Sequence, residues 1–225
     1  MLALAQPTEA KVIYTKTHDV IGTNGVYPLD LNHDGIIDFV IQELGYSGTS
    51  GSNGLWADAA SGNGVEATKG YAAALMQGAS IGPRQRFQHI SDAFGEMMGG
   101  RFCNSDTGGC TTVGQWVNVK IRYLGLKFQI KGKVHYGWAR LNVIVSSRVS
   151  TIAATLTGYA YETTPNKAIH AGQTHGPVDE ALGTPDAVKQ ETLAHGRTTQ
   201  VPLIGQSASL GRLAQGYAVP LGRQP

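Results

Sequence analysis

The sequence predicts an all-β fold: a β-sandwich or jelly-roll-like core with a calcium-binding loop, at most a short helix, and an extended C-terminal tail. Three observations predict it. Leu124, Leu126, Phe128 and Ile130 alternate with polar or small residues, Lys131-Gly132 turns the chain, and Val134, Tyr136 and Trp138 alternate back. Period-two apolarity on both sides of a Gly-containing turn marks a β-hairpin. Further short strand candidates are separated by turn signals, with little helical pattern between them. Finally, an Asp-rich loop runs straight into the apolar β-type stretch Phe39-Val40-Ile41-Gln42.

Taken in order, residues 11–16 form the first strand candidate, and Gly25-Val26-Tyr27-Pro28 leads into the Asp-rich loop. Ile36 to Leu44 is the next strand. Gly45 to Gly54, rich in Gly, Ser and Asn, reads as loop. Residues 65–79 are Ala-rich and suggest a short helix, weakened by Gly70. Arg84 to His89 reads as a short strand, and the stretch from there to the first cysteine carries no clear pattern. After the hairpin, Leu141 to Val145 continues its second arm, and Ile152 to Tyr161 supplies another strand. Past Thr164-Pro165 the chain turns polar and loses its period. The expected organisation is a core domain over 6–165 and a C-terminal extension over 166–225, with apolar beads such as Val201, Leu203, Ile204 and Leu210.

Composition narrows the function classes. Charged residues make up only 15% and the formal net charge is +2, with the basic residues scattered. Nucleic acid, which needs a basic face or stripe, is therefore not expected as a partner. No apolar run of eighteen residues is present, so no membrane-spanning helix is expected. Ala3-Leu4-Ala5 has the small-x-small form of a signal-peptidase site, which makes Gln6 the expected first mature residue and places the protein outside the cell.

The chemistry concentrates in Asp30-Leu31-Asn32-His33-Asp34-Gly35-Ile36-Ile37-Asp38. Oxygen-bearing side chains stand at the first, third, fifth and ninth positions, Asp30, Asn32, Asp34 and Asp38. Gly35 holds the sixth, where such a loop turns sharply, and Ile36 offers its backbone carbonyl at the seventh. A hard cation taking six to eight oxygens suits this set, so the expected cofactor is Ca²⁺. The twelfth position, a bidentate Glu in an EF-hand, is Ile41. This is a calcium loop leading into a strand, without an EF-hand helix pair. The alternative is an Asx-rich turn holding no metal. Cys103 and Cys110 bracket a flexible six-residue loop. Without a nearby His they make no zinc site, and a disulfide hairpin is expected, stabilising by roughly 2–3 kcal/mol.

Other candidates carry less. Gly78-Ala79-Ser80-Ile81-Gly82 fits the G-x-S-x-G nucleophile pattern but lacks the strand-then-helix context it needs. The seven His residues form no metal motif, and His135 is expected as a partly buried, hydrogen-bonded ring. Glu43, Glu66, Asp92 and Glu96 are carboxylates whose pairing in space the sequence does not give. Trp56, Trp116 and Trp138 read as core before they read as a sugar-binding face.

His135-Tyr136-Gly137-Trp138-Ala139-Arg140-Leu141 and Leu156-Thr157-Gly158-Tyr159-Ala160-Tyr161-Glu162 resemble segments of a group of uncharacterised secreted bacterial proteins with PEP-CTERM-like C-terminal regions. Asp38-Phe39 and Leu210-Gly211-Arg212-Leu213-Ala214-Gln215-Gly216 extend the likeness over about residues 10–216. The chain departs from them at its terminus, where Pro-Glu-Pro, an apolar span and a basic cluster would form a sorting signal. The resemblance implies export and a β-domain, and no activity. Together these readings give the expectation of an extracellular, non-enzymatic structural or surface protein, stabilised by calcium and self-assembling into a fibre through strand exchange by the tail. Its expected partners are itself or a cell-surface matrix. A calcium-dependent carbohydrate-binding module is the alternative, with a glycan as partner, and a secreted hydrolase a remote one.

Overall fold

A computed structural model describes residues 11–45, 52–90, 95–104, 107–146 and 151–176. Among them there is no helix, and the strands form two main antiparallel sheets and a separate two-stranded ladder. The larger begins with edge strand β1 (Val12–Ile21) and runs through β13 (Ile152–Glu162), β12 (Lys133–Val145), β11 (Val119–Ile130) and β5 (Gly64–Thr68). The short strands β6 (Tyr71–Ala72) and β8 (Phe87–Gln88) complete it beside β5. The smaller orders β10 (Cys110–Gly114), β9 (Glu96–Cys103), β4 (Asn53–Ala59), β3 (Phe39–Gly45) and β2 (Val26–Leu29).

The predicted hairpin is the centre of the larger sheet. Leu126 pairs Gly137 and Phe128 pairs His135, with Lys131 and Gly132 at φ +49° and +74° in the turn. Its inward residues Leu124, Leu126 and Phe128 meet Leu29, Phe39, Ile41, Leu55 and Met98 from the smaller sheet. Each such side chain, fully buried, contributes about 1.5–3 kcal/mol. The result is a sandwich with its main core between the sheets.

Trp138 and Tyr136 point the other way and are buried too. A two-stranded ladder, β7 (Ser80–Ile81) with β14 (Ile169–His170), covers that outer face: Ile81, Ile169 and Ala171 pack with Val12, Tyr123, Tyr136 and Trp138. The Trp138 indole N–H donates to the Gln173 carbonyl at 3.1 Å. The chain therefore does not leave the domain at residue 166, as its polarity suggested, but stays packed to the last described residues before 177. Residues 177–225, which carry the apolar beads, lie outside the described residues, as does Ala3-Leu4-Ala5.

Three expectations are corrected. The Ala-rich stretch 65–79 is not a helix. It contains β5 and β6, joined by a turn with Lys69 and Gly70 at φ +54° and +77°, and its alanines Ala67, Ala72 and Ala73 are buried. Nor is Gly45–Gly54 all loop, because Gly45 pairs Asn53 and Leu44 pairs Gly54 across β3 and β4. Finally, the strand after the Asp-rich loop starts at Phe39, while Ile36 and Ile37 are exposed loop residues.

Candidate metal centre

The Asp30–Asp38 loop joins β2 to β3, and the backbone bond from Asp38 N–H to the Leu29 carbonyl closes its base at 3.0 Å. Leu31 inserts into the main core, fixing the loop's first turn. Gly35 at φ +88° makes the sharp turn expected of the sixth position, and His33 also lies in the left-handed region at φ +60°. That conformation disfavours most side chains. Here the ring is held by Thr15 Oγ1 at 2.9 Å from Nε2 and stands 5.7 Å from Tyr159. His33 thus turns out of the loop towards β1 and β13.

The loop's carboxylates organise its own backbone. Asp30 accepts from the Asp34 N–H at 3.2 Å and the Gly35 N–H at 2.7 Å. Asp34 accepts from the Ile36 N–H and from the Asn32 amide, both at 2.9 Å. Asp38 is buried, 5% exposed, and accepts from the Leu31 N–H at 2.9 Å. Asn63, a residue the sequence did not single out, donates its amide to the Asp38 carbonyl at 3.2 Å. Burial pushes the Asp38 carboxyl up to about 6; the neighbouring Asp34 and Asp30 push the same way, against the Leu31 N–H and Asn63.

Asp30, Asn32 and Asp34 are thus brought together in one tight turn, with Asp38 at its base. Among the described residues, no group of three or more His, Cys, Asp or Glu side chains is arranged to hold an ion by itself. Asn32 and the Ile36 carbonyl are therefore needed to make up an oxygen set. Asn32 Oδ1 meets that need: it is buried and has no hydrogen-bond partner, while its own amide N–H is engaged by Asp34. A buried acceptor without a donor costs about 1–3 kcal/mol, and a cation on that oxygen removes the cost. The donor set, all oxygen and rich in carboxylate, fits Ca²⁺.

The remaining candidates separate. Cys103 and Cys110 form a disulfide between the paired ends of β9 and β10. Trp116 and Trp138 are fully buried core residues, and the buried His135 ring bonds the Glu162 carbonyl at 3.0 Å. Ser80 lies on the two-residue strand β7 with Gly82 and Pro83 following, so no nucleophile elbow forms. Glu43 is fully buried with its oxygens on the Asn24 N–H and the Asn53 amide, and Glu66 lies on the opposite sheet. Glu96 is on β9, and Asp92 falls outside the described residues. No protein-family model, curated protein or solved structure matches the chain. The class that fold and loop define is an all-β sandwich with one disulfide and an acidic turn at the β2–β3 connection.

Proposed function

We propose that this is an extracellular, non-enzymatic structural protein, a surface or matrix component whose Asp30–Asp38 loop takes Ca²⁺ and whose copies self-assemble by strand exchange. The observation that carries the metal is the buried, partnerless Asn32 Oδ1 within an all-oxygen turn. Asp30, Asn32, Asp34 and Asp38, with the Ile36 carbonyl, would hold the ion, which supplies positive charge between carboxylates that otherwise repel one another. The Cys103–Cys110 bridge supports an oxidising location.

Strand exchange needs a receiving edge, and the edge strands of the two main sheets differ. β2 carries Pro28, which has no N–H to donate. β10 is short and tied at Cys110, and β6 has two residues. β1 is ten residues long, contains neither Pro nor Gly, and has a bulge between Lys16 and Asp19. It is the edge best suited to accept an extended segment from residues 177–225 of a neighbouring copy. Electron microscopy of the full chain, with calcium and with a chelator, tests this reading. Ordered fibres in calcium are expected; single particles under both conditions contradict it.

A further inference from the structure

We propose that a pocket beside the β7–β14 ladder binds the anionic group of an acidic sugar. The cavity, about 250 Å³, is lined by Ser80, Pro83, Arg84, Gln85, Asn166 and Ala168. It lies below the roughly 300–1,000 Å³ of drug-sized sites and suits a single ring. Its polar side chains are a hydroxyl, a guanidinium and two amides: each can donate, and none is an acid.

These groups are also uncommitted. Neither a hydrogen bond nor an ion pair engages the side chains of Ser80, Arg84, Gln85 or Asn166 among the described residues. A second groove, about 370 Å³ beside Thr68, Lys69, Tyr71, Gly114 and Gln115, shows the contrast. There the Gln115 amide is engaged at both ends, donating to the Thr68 carbonyl and accepting from the Ala74 N–H. The backbone under the first pocket is fixed while its side chains stay free. Asn166 sits at φ +59°, its N–H bonded to the Val134 carbonyl at 2.8 Å, and the Gln85 N–H bonds the Gly82 carbonyl at 3.1 Å. Gly82 lets the two segments meet, since a Cβ there would stand 2.6 Å from that of Ala168.

The surrounding charge favours an anion. The charge at the pocket is that of Arg84, and the nearby carboxylate of Glu162 is already held by the Thr164 N–H at 2.9 Å and by Lys167 Nζ at 3.6 Å. Arg84 presents a planar fork that matches a carboxylate or sulfate in bidentate fashion. Ser80, Gln85 and Asn166 are suited to sugar hydroxyls. The ligand class is thus a glycan unit carrying a carboxylate or a sulfate ester.

The test uses the full chain with chelator present, so that calcium cannot bridge sugar to protein and the result stands apart from the calcium reading. Oligogalacturonate and a sulfated galactan oligosaccharide are titrated separately, with amide signals of residues 80–85 and 166–168 followed by NMR. One of the two is expected to shift those signals, and the methyl-esterified or desulfated counterpart is expected not to. Arg84→Gln, an exposed residue without a partner, should weaken binding at least tenfold with an unchanged melting temperature. Asn166→Gly, which keeps the left-handed turn, should weaken it severalfold. Absence of shifts with both probes, equal binding of the neutral counterpart, or full affinity in Arg84→Gln overturns the proposal.

Discussion

The Asp30–Asp38 turn and the pocket beside Ser80 and Asn166 are chemical opposites. The turn gathers carboxylates, with one amide oxygen left buried and unpartnered. The pocket gathers donors with no acid among them. Their construction differs as well. In the turn the functional side chains also hold the loop's shape, because Asp30, Asp34 and Asp38 each accept a backbone N–H. In the pocket, backbone bonds hold the shape and the side chains are free. Substitutions should therefore couple binding to stability in the turn and leave the two separate in the pocket.

The largest expected effect is calcium itself. At a hundredfold excess over its dissociation constant a ligand stabilises by about 2.7 kcal/mol, which raises the melting temperature by roughly 5–10 °C for a chain of this size. Asp30→Ala should abolish that rise and also lower the melting point in chelator, since the Gly35 N–H loses its acceptor. Next comes the disulfide, a tie outside both sites: Cys103→Ser with Cys110→Ser should cost roughly 2–3 kcal/mol in denaturant unfolding, while calcium-induced stabilisation persists.

Asn32→Ala sharpens the comparison because it weighs two opposing effects on stability. In chelator it removes a buried, partnerless oxygen together with the amide's hydrogen bond to Asp34, so stability should change by no more than about 1 kcal/mol, whereas calcium affinity should fall about tenfold, worth about 1.4 kcal/mol. Calorimetric titration and melts on the same sample read both.

Glu66 separates the turn's response to pH from that of the rest of the domain. Burial pushes its carboxyl up from 4.5 to about 7, its Oε2 has no partner, and a Cβ at Gly125 would stand 2.5 Å from that oxygen. The folded state binds this proton more tightly than the unfolded chain. Its contribution to stability is thus complete below about 4.5 and is lost as pH rises through about 7. Glu66→Gln should flatten this part of the melting curve's pH dependence in chelator. The slope that remains in the variant belongs to the turn, where the Asp38 carboxyl is pushed up to about 6; a slope undiminished by Glu66→Gln would assign the whole dependence to other groups. The smallest expected effect is that of Arg84→Gln on stability, within about 0.5 kcal/mol of zero.

The turn was legible in the sequence because its parts are adjacent: the spacing of Asp30, Asn32, Asp34, Gly35 and Asp38 is itself the geometry. The central hairpin was legible for a similar reason, since Leu124, Leu126 and Phe128 alternate on a strand with one clear inward face. Legibility failed where both sheet faces are covered or where small residues permit close packing. Asn53 and Gly54 read as loop, yet Asn53 is buried on Glu43 and a Cβ on Gly54 would stand 2.0 Å from the Trp56 ring. Gly99 and Gly100 likewise obscured β9: a Cβ at Gly100 would fall 2.6 Å from the Phe102 ring. The Ala-rich stretch imitated a helix because small residues suit a helix and a crowded interior equally well. The pocket had no sequence signature, because Ser80 and Asn166 meet only through a two-residue ladder between distant segments. Asn63, which braces Asp38, was invisible for the same reason.

The most direct measurement is calorimetric titration of calcium into the chelator-treated full chain, run beside Asn32→Ala. The account predicts one site per chain, a higher melting temperature when it fills, and a tenfold weaker site in the variant. Absence of calcium-dependent heat together with an unchanged melting point, or a variant indistinguishable from the parent, would contradict it.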